Sequence, residues 1–69
     1  MPERIYKKVD LVGSSQESID HAIRNAISKA SVSVHNIDWF EVMEIRGRVE
    51  EGNVQTFQVT IRIGFRLDD

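Results

Sequence analysis

Trp39 is the only tryptophan in this 69-residue chain and the side chain with the clearest potential for ligand chemistry. Its indole is a flat aromatic surface, the amide of Gln58 both donates and accepts hydrogen bonds, and the guanidinium of Arg46 carries a positive charge. Together these groups could hold a planar, hydrogen-bonding heteroaromatic ring on a polar surface. Each also has a structural alternative: a core or subunit-interface tryptophan, a solvated glutamine and a surface ion pair.

Side chains that support catalysis or metal binding are sparse. The chain has no cysteine, and its two histidines, His21 and His35, have no partner at catalytic or zinc-like spacing. Glu41 and Glu44 lie three positions apart and could be paired carboxylates, but nothing around them distinguishes an acid from a base, so we interpret both as structural. We therefore expect no metal site and no enzymatic activity.

The composition is that of an ordinary globular domain, with 41% hydrophobic and 29% charged residues, and the length predicts one domain over residues 1–69. A formal net charge of −2 argues against a dedicated nucleic-acid-binding protein. No apolar run approaches the roughly 20 residues that span a membrane, and no apolar segment follows the charged residues 1–8. These features predict a cytoplasmic protein with no nucleic-acid or membrane partner.

The first half of the sequence predicts a strand followed by an amphipathic helix. Arg4 to Val12 alternates apolar and polar residues, and Gly13 is expected to end that strand. Ser14 and Glu17 form a capping-box pattern, which predicts a helix starting near Ser15. The expected stop is His35-Asn36, since asparagine tolerates the left-handed conformation. The apolar helix positions recur at three- and four-residue spacing: Ile19, Ala22, Ile23, Ala26, Ile27 and Ala30.

The second half predicts two long strands. Trp39 to Val49 changes the parity of its apolar residues midway, which requires an extra residue, a β-bulge, near Met43 or Glu44. A turn over residues 50–53 follows, with glycine and asparagine supplying positive φ angles. Val54 to Leu67 alternates without interruption and is expected at the centre of the sheet, which gives an antiparallel α+β fold with strand order 1-3-2.

Self-association is the expected source of additional stability. A domain of this size buries only about 60% of the surface that its unfolded chain exposes, and it has neither disulfides nor a predicted metal. One helix covers only one face of a three-stranded sheet, and both sheet edges are unprotected. A closed symmetric assembly would cover these surfaces.

Several segments resemble the dodecins over the whole length of the chain. They are DWFEV (38–42), EIRG (44–47), FQV (57–59), GFRL (64–67) and the opening VDLVGSS (9–15). Dodecins are small flavin-storage proteins. The resemblance implies a three-stranded antiparallel sheet wrapped around one helix, assembly into a hollow homododecamer, and flavins bound in pairs at symmetry axes.

Roles for individual residues follow from the same resemblance. Trp39 is similar to the tryptophan that stacks on the isoalloxazine ring, and two such residues from symmetry-related subunits would enclose two flavins. Gln58 is similar to the amide that pairs with the polar edge of the ring, and Arg46 to a residue near the flavin that could meet a phosphate. Coenzyme A binds some dodecins at a separate interface, for which the matching candidates are Arg66, Tyr6, Arg4 and Lys29.

The predicted function is flavin storage, sequestration and photoprotection without turnover. The expected ligand is riboflavin or FMN, with FAD as a further alternative and coenzyme A as a second ligand. Two other classes stay open at this point. A small flavin-dependent enzyme would need an open ring face and a substrate pocket. An oligomeric interaction module would bind no ligand; no protein partner other than further copies of the chain is expected.

Overall fold

The computed structural model describes residues 3–68, which form a three-stranded antiparallel sheet and one helix. The elements are β1 (Tyr6–Ser15), α1 (Ile19–Ala30), β2 (Ile37–Glu50) and β3 (Asn53–Arg66). The strand order is β1-β3-β2. The predicted α+β architecture and the central position of the third strand are confirmed.

The core lies between α1 and the middle of β3. Val59, Ile61 and Ile63 alternate on one face of β3 and are fully buried. Ala22 and Ala26 are the buried residues of α1, and their small side chains let the helix approach the sheet closely. The residues that surround this core are partly buried: Val9, Leu11, Ile23, Ile27, Ala30, Val34, Ile37 and Phe65.

The predicted end of β1 at Gly13 is wrong, because the strand continues through this glycine to Ser15. The glycine serves close packing. A Cβ at position 13 would overlap the carbonyl oxygen of Ala22 and lie 2.8 Å from the Cβ of Ala26. The missing side chain therefore lets α1 cross directly over β1.

The predicted capping box at Ser14 and Glu17 is also wrong, and the helix begins at Ile19 rather than near Ser15. Ser18 is the N-cap, and its hydroxyl accepts a hydrogen bond of 3.0 Å from the backbone N–H of His21. The intervening turn is held by the buried Ser15, whose hydroxyl accepts from the backbone N–H of Glu17 at 2.9 Å.

The helix ends earlier than the predicted stop at His35-Asn36, since its last residue is Ala30 and Ser31 is the C-cap. Asn36 does adopt the left-handed conformation, with φ of 65°, but it does so in the segment that leads into β2. Its carbonyl accepts a hydrogen bond of 3.1 Å from the backbone N–H of Arg66. Asn36 thus fixes where β2 starts relative to β3.

The predicted β-bulge in β2 is confirmed. Val42 pairs with Ile61 and Glu44 pairs with Thr60, so Met43 is the extra residue between them. Further irregularities interrupt the register between Ile37 and Trp39 and between Arg48 and Val49.

The turn between β2 and β3 has two central residues, Glu51 and Gly52, with φ of 51° and 79°. Positive φ at both positions is the geometry that tight β-hairpins favour. The glycine was predicted correctly. The second positive φ belongs to Glu51, and Asn53 is instead the first residue of β3.

The apolar residues of β2 that share a face with the core are exposed in the single chain. Phe40, Val42 and Ile45 pair with the buried Ile63, Ile61 and Val59 and have exposed fractions of 47%, 43% and 54%. We call these three residues the β2 strip. An open cleft of about 510 Å³ separates α1 from the beginning of β2. The β2 strip itself is a solvent-exposed apolar surface, which is typical of a protein–protein contact.

Assembly should depend on the β2 strip. We expect Ile45→Asp to reduce the assembled fraction, because it would place a charge in a surface that a neighbouring copy is expected to bury. Light scattering measures the mass of the assembly, and Ile45→Val is the control because it keeps the surface apolar. A stable wild-type monomer of 7.9 kDa, or an Ile45→Asp assembly of wild-type mass and stability, would contradict this expectation.

Candidate functional site

The candidate ligand-binding residues lie on the face of the sheet opposite α1. Even-numbered residues of β3 point away from the helix, because Val59, Ile61 and Ile63 point towards it. The cross-strand partners of the even-numbered residues share their side of the sheet. We call this surface the polar face; it includes Tyr6, Lys8, Asp10, Trp39, Glu41, Glu44, Arg46, Gln58, Thr60, Arg62, Gly64 and Arg66.

The indole of Trp39 lies over Gly64, its partner on β3. A Cβ at position 64 would overlap the indole atoms Cζ2, Cε2 and Cη2. The ring of Tyr6 on β1 meets the indole edge-on, with centroids 5.2 Å apart and planes at 64°. Trp39 is therefore half-buried against the sheet, with one ring face on Gly64 and the other turned away from the strand.

A carboxylate and an ammonium group flank the same indole. The Nε1–H of Trp39 donates a hydrogen bond of 3.2 Å to Oε2 of Glu41. The Nζ of Lys8 lies 3.0 Å from that oxygen and 6.0 Å from the centroid of the indole ring. The hydrogen bond from Lys8, followed by that from Trp39, lowers the pKa of Glu41 below its ordinary value.

A second ion pair crosses the polar face beside Glu41. Arg62 on β3 donates two hydrogen bonds to Asp10 on β1, of 2.7 Å and 3.1 Å. The hydrogen bond from Arg62 lowers the pKa of Asp10. Because the pair is exposed, we attribute little stability to it.

Arg46 and Gln58 are direct cross-strand partners, and the bulge at Met43 puts them on the same face as Trp39, as the sequence predicted. They are not neighbours of Trp39 within one chain. Six positions of β3 separate Gln58 from Gly64 beneath the indole, which is about 20 Å along an extended strand. One protomer therefore presents the indole and the amide–guanidinium pair as two separate half-sites.

The four coenzyme A candidates are not all brought together in one protomer. Tyr6 and Arg66 are cross-strand partners on the polar face, and Arg4 lies two residues before the start of β1. Lys29 is in the last turn of α1, which packs on the opposite face of the sheet. A site that uses all four would need more than one copy of the chain.

His21 has a partner that the sequence analysis did not predict. Its Nδ1 lies 2.7 Å from the hydroxyl oxygen of Ser15 and 3.0 Å from a carboxylate oxygen of Glu17. A nucleophilic relay requires the hydroxyl and the carboxylate on different ring nitrogens, whereas both contacts here use the same one. The arrangement therefore organises the turn before α1.

The structure also contains a set of side chains around Trp39 that sequence analysis missed. Glu41 was interpreted as structural, and Lys8 and Gly64 were assigned no role beside the indole. Their proximity depends on the register of three strands, in which Lys8, Gly64 and Trp39 are aligned across the sheet. The alternation of each strand gives the face of a residue, but only the register gives its neighbours.

The described part of the chain shows no candidate metal site. Among residues 3–68, no group of three histidine, cysteine, aspartate or glutamate side chains is placed to hold a metal ion. Within the same residues, no helix is both long enough and apolar enough to cross a membrane.

A three-stranded antiparallel sheet in the order β1-β3-β2, with one helix on one face and a half-buried indole on the other, defines a class of small α+β proteins. The family model described as Dodecin matches residues 5–68, and the chain belongs to the dodecin family. Members of this family are small binding proteins rather than enzymes. The homododecamer predicted from the resemblance is consistent with the dodecin homologues.

Individual relatives agree with this assignment. The chain is 46% identical over 66 residues to a dodecin from Thermus thermophilus, covering 96% of each protein. It superposes on the dodecin from Streptomyces davaonensis with a TM-score of 0.95 and 48% identity, covering 99% of this chain and 100% of that one. A more distant relative from Mycobacterium tuberculosis, named calcium dodecin, is 27% identical over 63 residues, or 91% of this chain and 89% of that protein.

The fit between the indole and Gly64 can be tested directly. We expect Gly64→Ala to displace the indole, because the added Cβ would occupy its position, and to destabilise the protein by about 1–3 kcal/mol, as overpacking does. Near-ultraviolet circular dichroism and tryptophan emission report the displacement. Thr60→Ala, on the same face of β3 but opposite Glu44, is the control. Identical tryptophan spectra for Gly64→Ala and wild type would show that the indole does not lie on Gly64.

Proposed function

We propose that this protein binds a flavin, riboflavin or FMN with FAD as an alternative, and sequesters it without turnover. The observation that carries the proposal is the indole of Trp39, which rests on Gly64 with one ring face directed away from the sheet. A planar heteroaromatic ring stacks on such a surface through dispersion and offset π contact. Membership of the dodecin family supports a flavin as that ring.

The separation of the two half-sites supports a binding site shared between protomers. A flavin stacked on Trp39 cannot also reach Gln58 of the same chain, which lies about 20 Å along β3. In a symmetric assembly, the Gln58–Arg46 pair of one copy can face the Trp39 of another. Gln58 would then pair with the polar edge of the ring, and Arg46 would be placed to meet a phosphate such as that of FMN.

Storage and photoprotection follow from stacking on an indole. A ring enclosed between tryptophans has no open face for hydride transfer to a substrate, which a flavin-dependent enzyme requires. Electron transfer from an indole in van der Waals contact returns an excited flavin to its ground state before it can emit or react. With this function, the protein would limit both the concentration of free flavin and the photochemistry of the bound flavin.

Coenzyme A as a second ligand stays a prediction. The pairing of Tyr6 with Arg66 places an aromatic ring and a guanidinium side by side, which suits a nucleotide with phosphate groups. The position of Lys29 on the helix side means that it would have to come from another copy.

Flavin titration tests the stacking role of Trp39. We expect binding to quench the emission of both flavin and tryptophan, and Trp39→Ala to weaken affinity by about tenfold or more, since stacking is worth about 1–3 kcal/mol per ring. Trp39→Phe should recover part of the affinity but less of the quenching, because phenylalanine is a poor electron donor. Bound flavin with bright emission would favour an open, enzyme-like site, whereas no flavin binding at all would favour a ligand-free interaction module.

The role of Gln58 is tested with a matched glutamine on the same strand. We expect Gln58→Ala to preserve the assembly and to weaken flavin binding by about 1–2 kcal/mol, the range for losing one hydrogen bond with a ligand edge. Gln55 is an exposed glutamine of β3 three residues from Gln58 and has no cross-strand partner in β2, so Gln55→Ala should leave affinity unchanged. Equal affinities of the two variants would assign Gln58 to the solvated surface.

A further inference from the structure

The polar contacts of Glu41 converge on the indole. One carboxylate oxygen, Oε2, accepts the Nε1–H of Trp39 at 3.2 Å and lies 3.0 Å from the Nζ of Lys8. The Lys8 ammonium is thus attached to β1 and the carboxylate to β2, and the bridge between them crosses over β3.

We propose that Glu41, braced by Lys8, is a positioning residue that holds the indole of Trp39 in one orientation, ready to stack on a ligand ring. The consequence for ligand affinity rests on the proposed flavin function. The orientation of the indole is a property of the unliganded protein, so it can be tested separately.

The contacts around the indole restrict different motions. Gly64 lies beneath the ring and limits its approach to the sheet, while Tyr6 lies against it edge-on and limits sideways movement. Neither contact is directional, so neither one selects between the χ2 orientations that put Nε1 on opposite sides of the Cβ–Cγ bond. The hydrogen bond from Nε1 to Glu41 does select one, because it requires the N–H to point at one oxygen atom.

Bracing matters because Glu41 is on an exposed surface. The side chains of Lys8 and Glu41 have exposed fractions of 51% and 42%, so an unbraced glutamate would exchange among rotamers in water. The ion pair with Lys8 limits this freedom. When the indole is already ordered before binding, less entropy is lost as the ligand stacks on it. The affinity therefore increases without any contact between Glu41 and the ligand.

The charges facing Glu41 explain its dependence on pH. Lys8 and Asp10 face it from β1 and Arg62 from β3, and Arg62 is engaged in the bidentate pair with Asp10. The pKa of Glu41 is lowered, first by the Lys8 hydrogen bond and then by that of Trp39. We call the ionised Glu41 carboxylate with its contacts to Lys8 and Trp39 the clamp. The clamp is therefore fully present above the ordinary glutamate pKa and is lost as pH falls through the lowered pKa.

The first experiment uses the unliganded protein and the single tryptophan. In a ¹⁵N-tryptophan-labelled sample, we expect one indole N–H resonance that moves on acidification with a midpoint below the ordinary glutamate pKa. Glu41→Gln should abolish this titration, and Glu41→Ala should shift the resonance at neutral pH. Asp10→Asn, which breaks the neighbouring ion pair without touching the indole, should retain the titration, with a midpoint no higher than that of the wild type because Arg62 is then free to lower the pKa of Glu41 further. An indole resonance that is the same in Glu41→Ala and wild type would overturn the proposal.

The second experiment measures flavin affinity and quenching for the same variants and for Lys8→Met. We expect Glu41→Ala and Lys8→Met to weaken affinity by about three- to tenfold and to reduce quenching of the bound flavin, with Asp10→Asn unchanged. If these variants have altered indole resonances but bind flavin with wild-type affinity, the positioning role is overturned. If wild-type protein binds no flavin while the resonances change as expected, the clamp stands and the flavin function fails.

Discussion

The extra residue at Met43 decides which side of the sheet the following residues of β2 face. A strand alternates its side chains strictly, so without the bulge Arg46 would point towards the helix side and Ile45 into the polar face. With it, Trp39, Glu41 and Arg46 share one surface, and Phe40, Val42 and Ile45 share the other. The polar face and the β2 strip both depend on this single irregularity, so the ligand site and the assembly surface are determined together.

Assembly and ligand binding are coupled for a second reason. The chain presents an indole at one position of the polar face and an amide–guanidinium pair about 20 Å along the strand. The exposed β2 strip also needs another copy to bury it. In the proposed assembly, the same association covers the apolar residues and completes the flavin site, so a separated protomer would have neither a full core nor a full site.

The sequence predicts the sheet order and the bulge because both depend on alternation within one strand. The unbroken apolar register of residues 57–67 indicates a central strand, and the parity change near Met43 indicates the extra residue. The junction between β1 and α1 could not be predicted in the same way. Gly13 and Ser14 have the local pattern of a strand end and a cap, but the close approach of Ala22 and Ala26 keeps Gly13 inside the strand. The clamp on Trp39 was missed because it depends on register across three strands.

The shared site is tested most directly by mixing two defective subunits. Trp39→Ala removes the stacking surface and Gln58→Ala removes the amide, so each variant alone should bind flavin weakly. If the two groups act from different copies, randomly mixed assemblies made by co-expression should combine an intact Trp39 with an intact Gln58 at about a quarter of the stacking positions, because symmetry repeats the same contact between every such pair. Those positions should bind flavin more tightly, and quench it more, than any position in an assembly of either variant alone. If both groups act within one chain, no intact site can form by mixing, and a mixed assembly with no recovered sites would contradict the shared-site account.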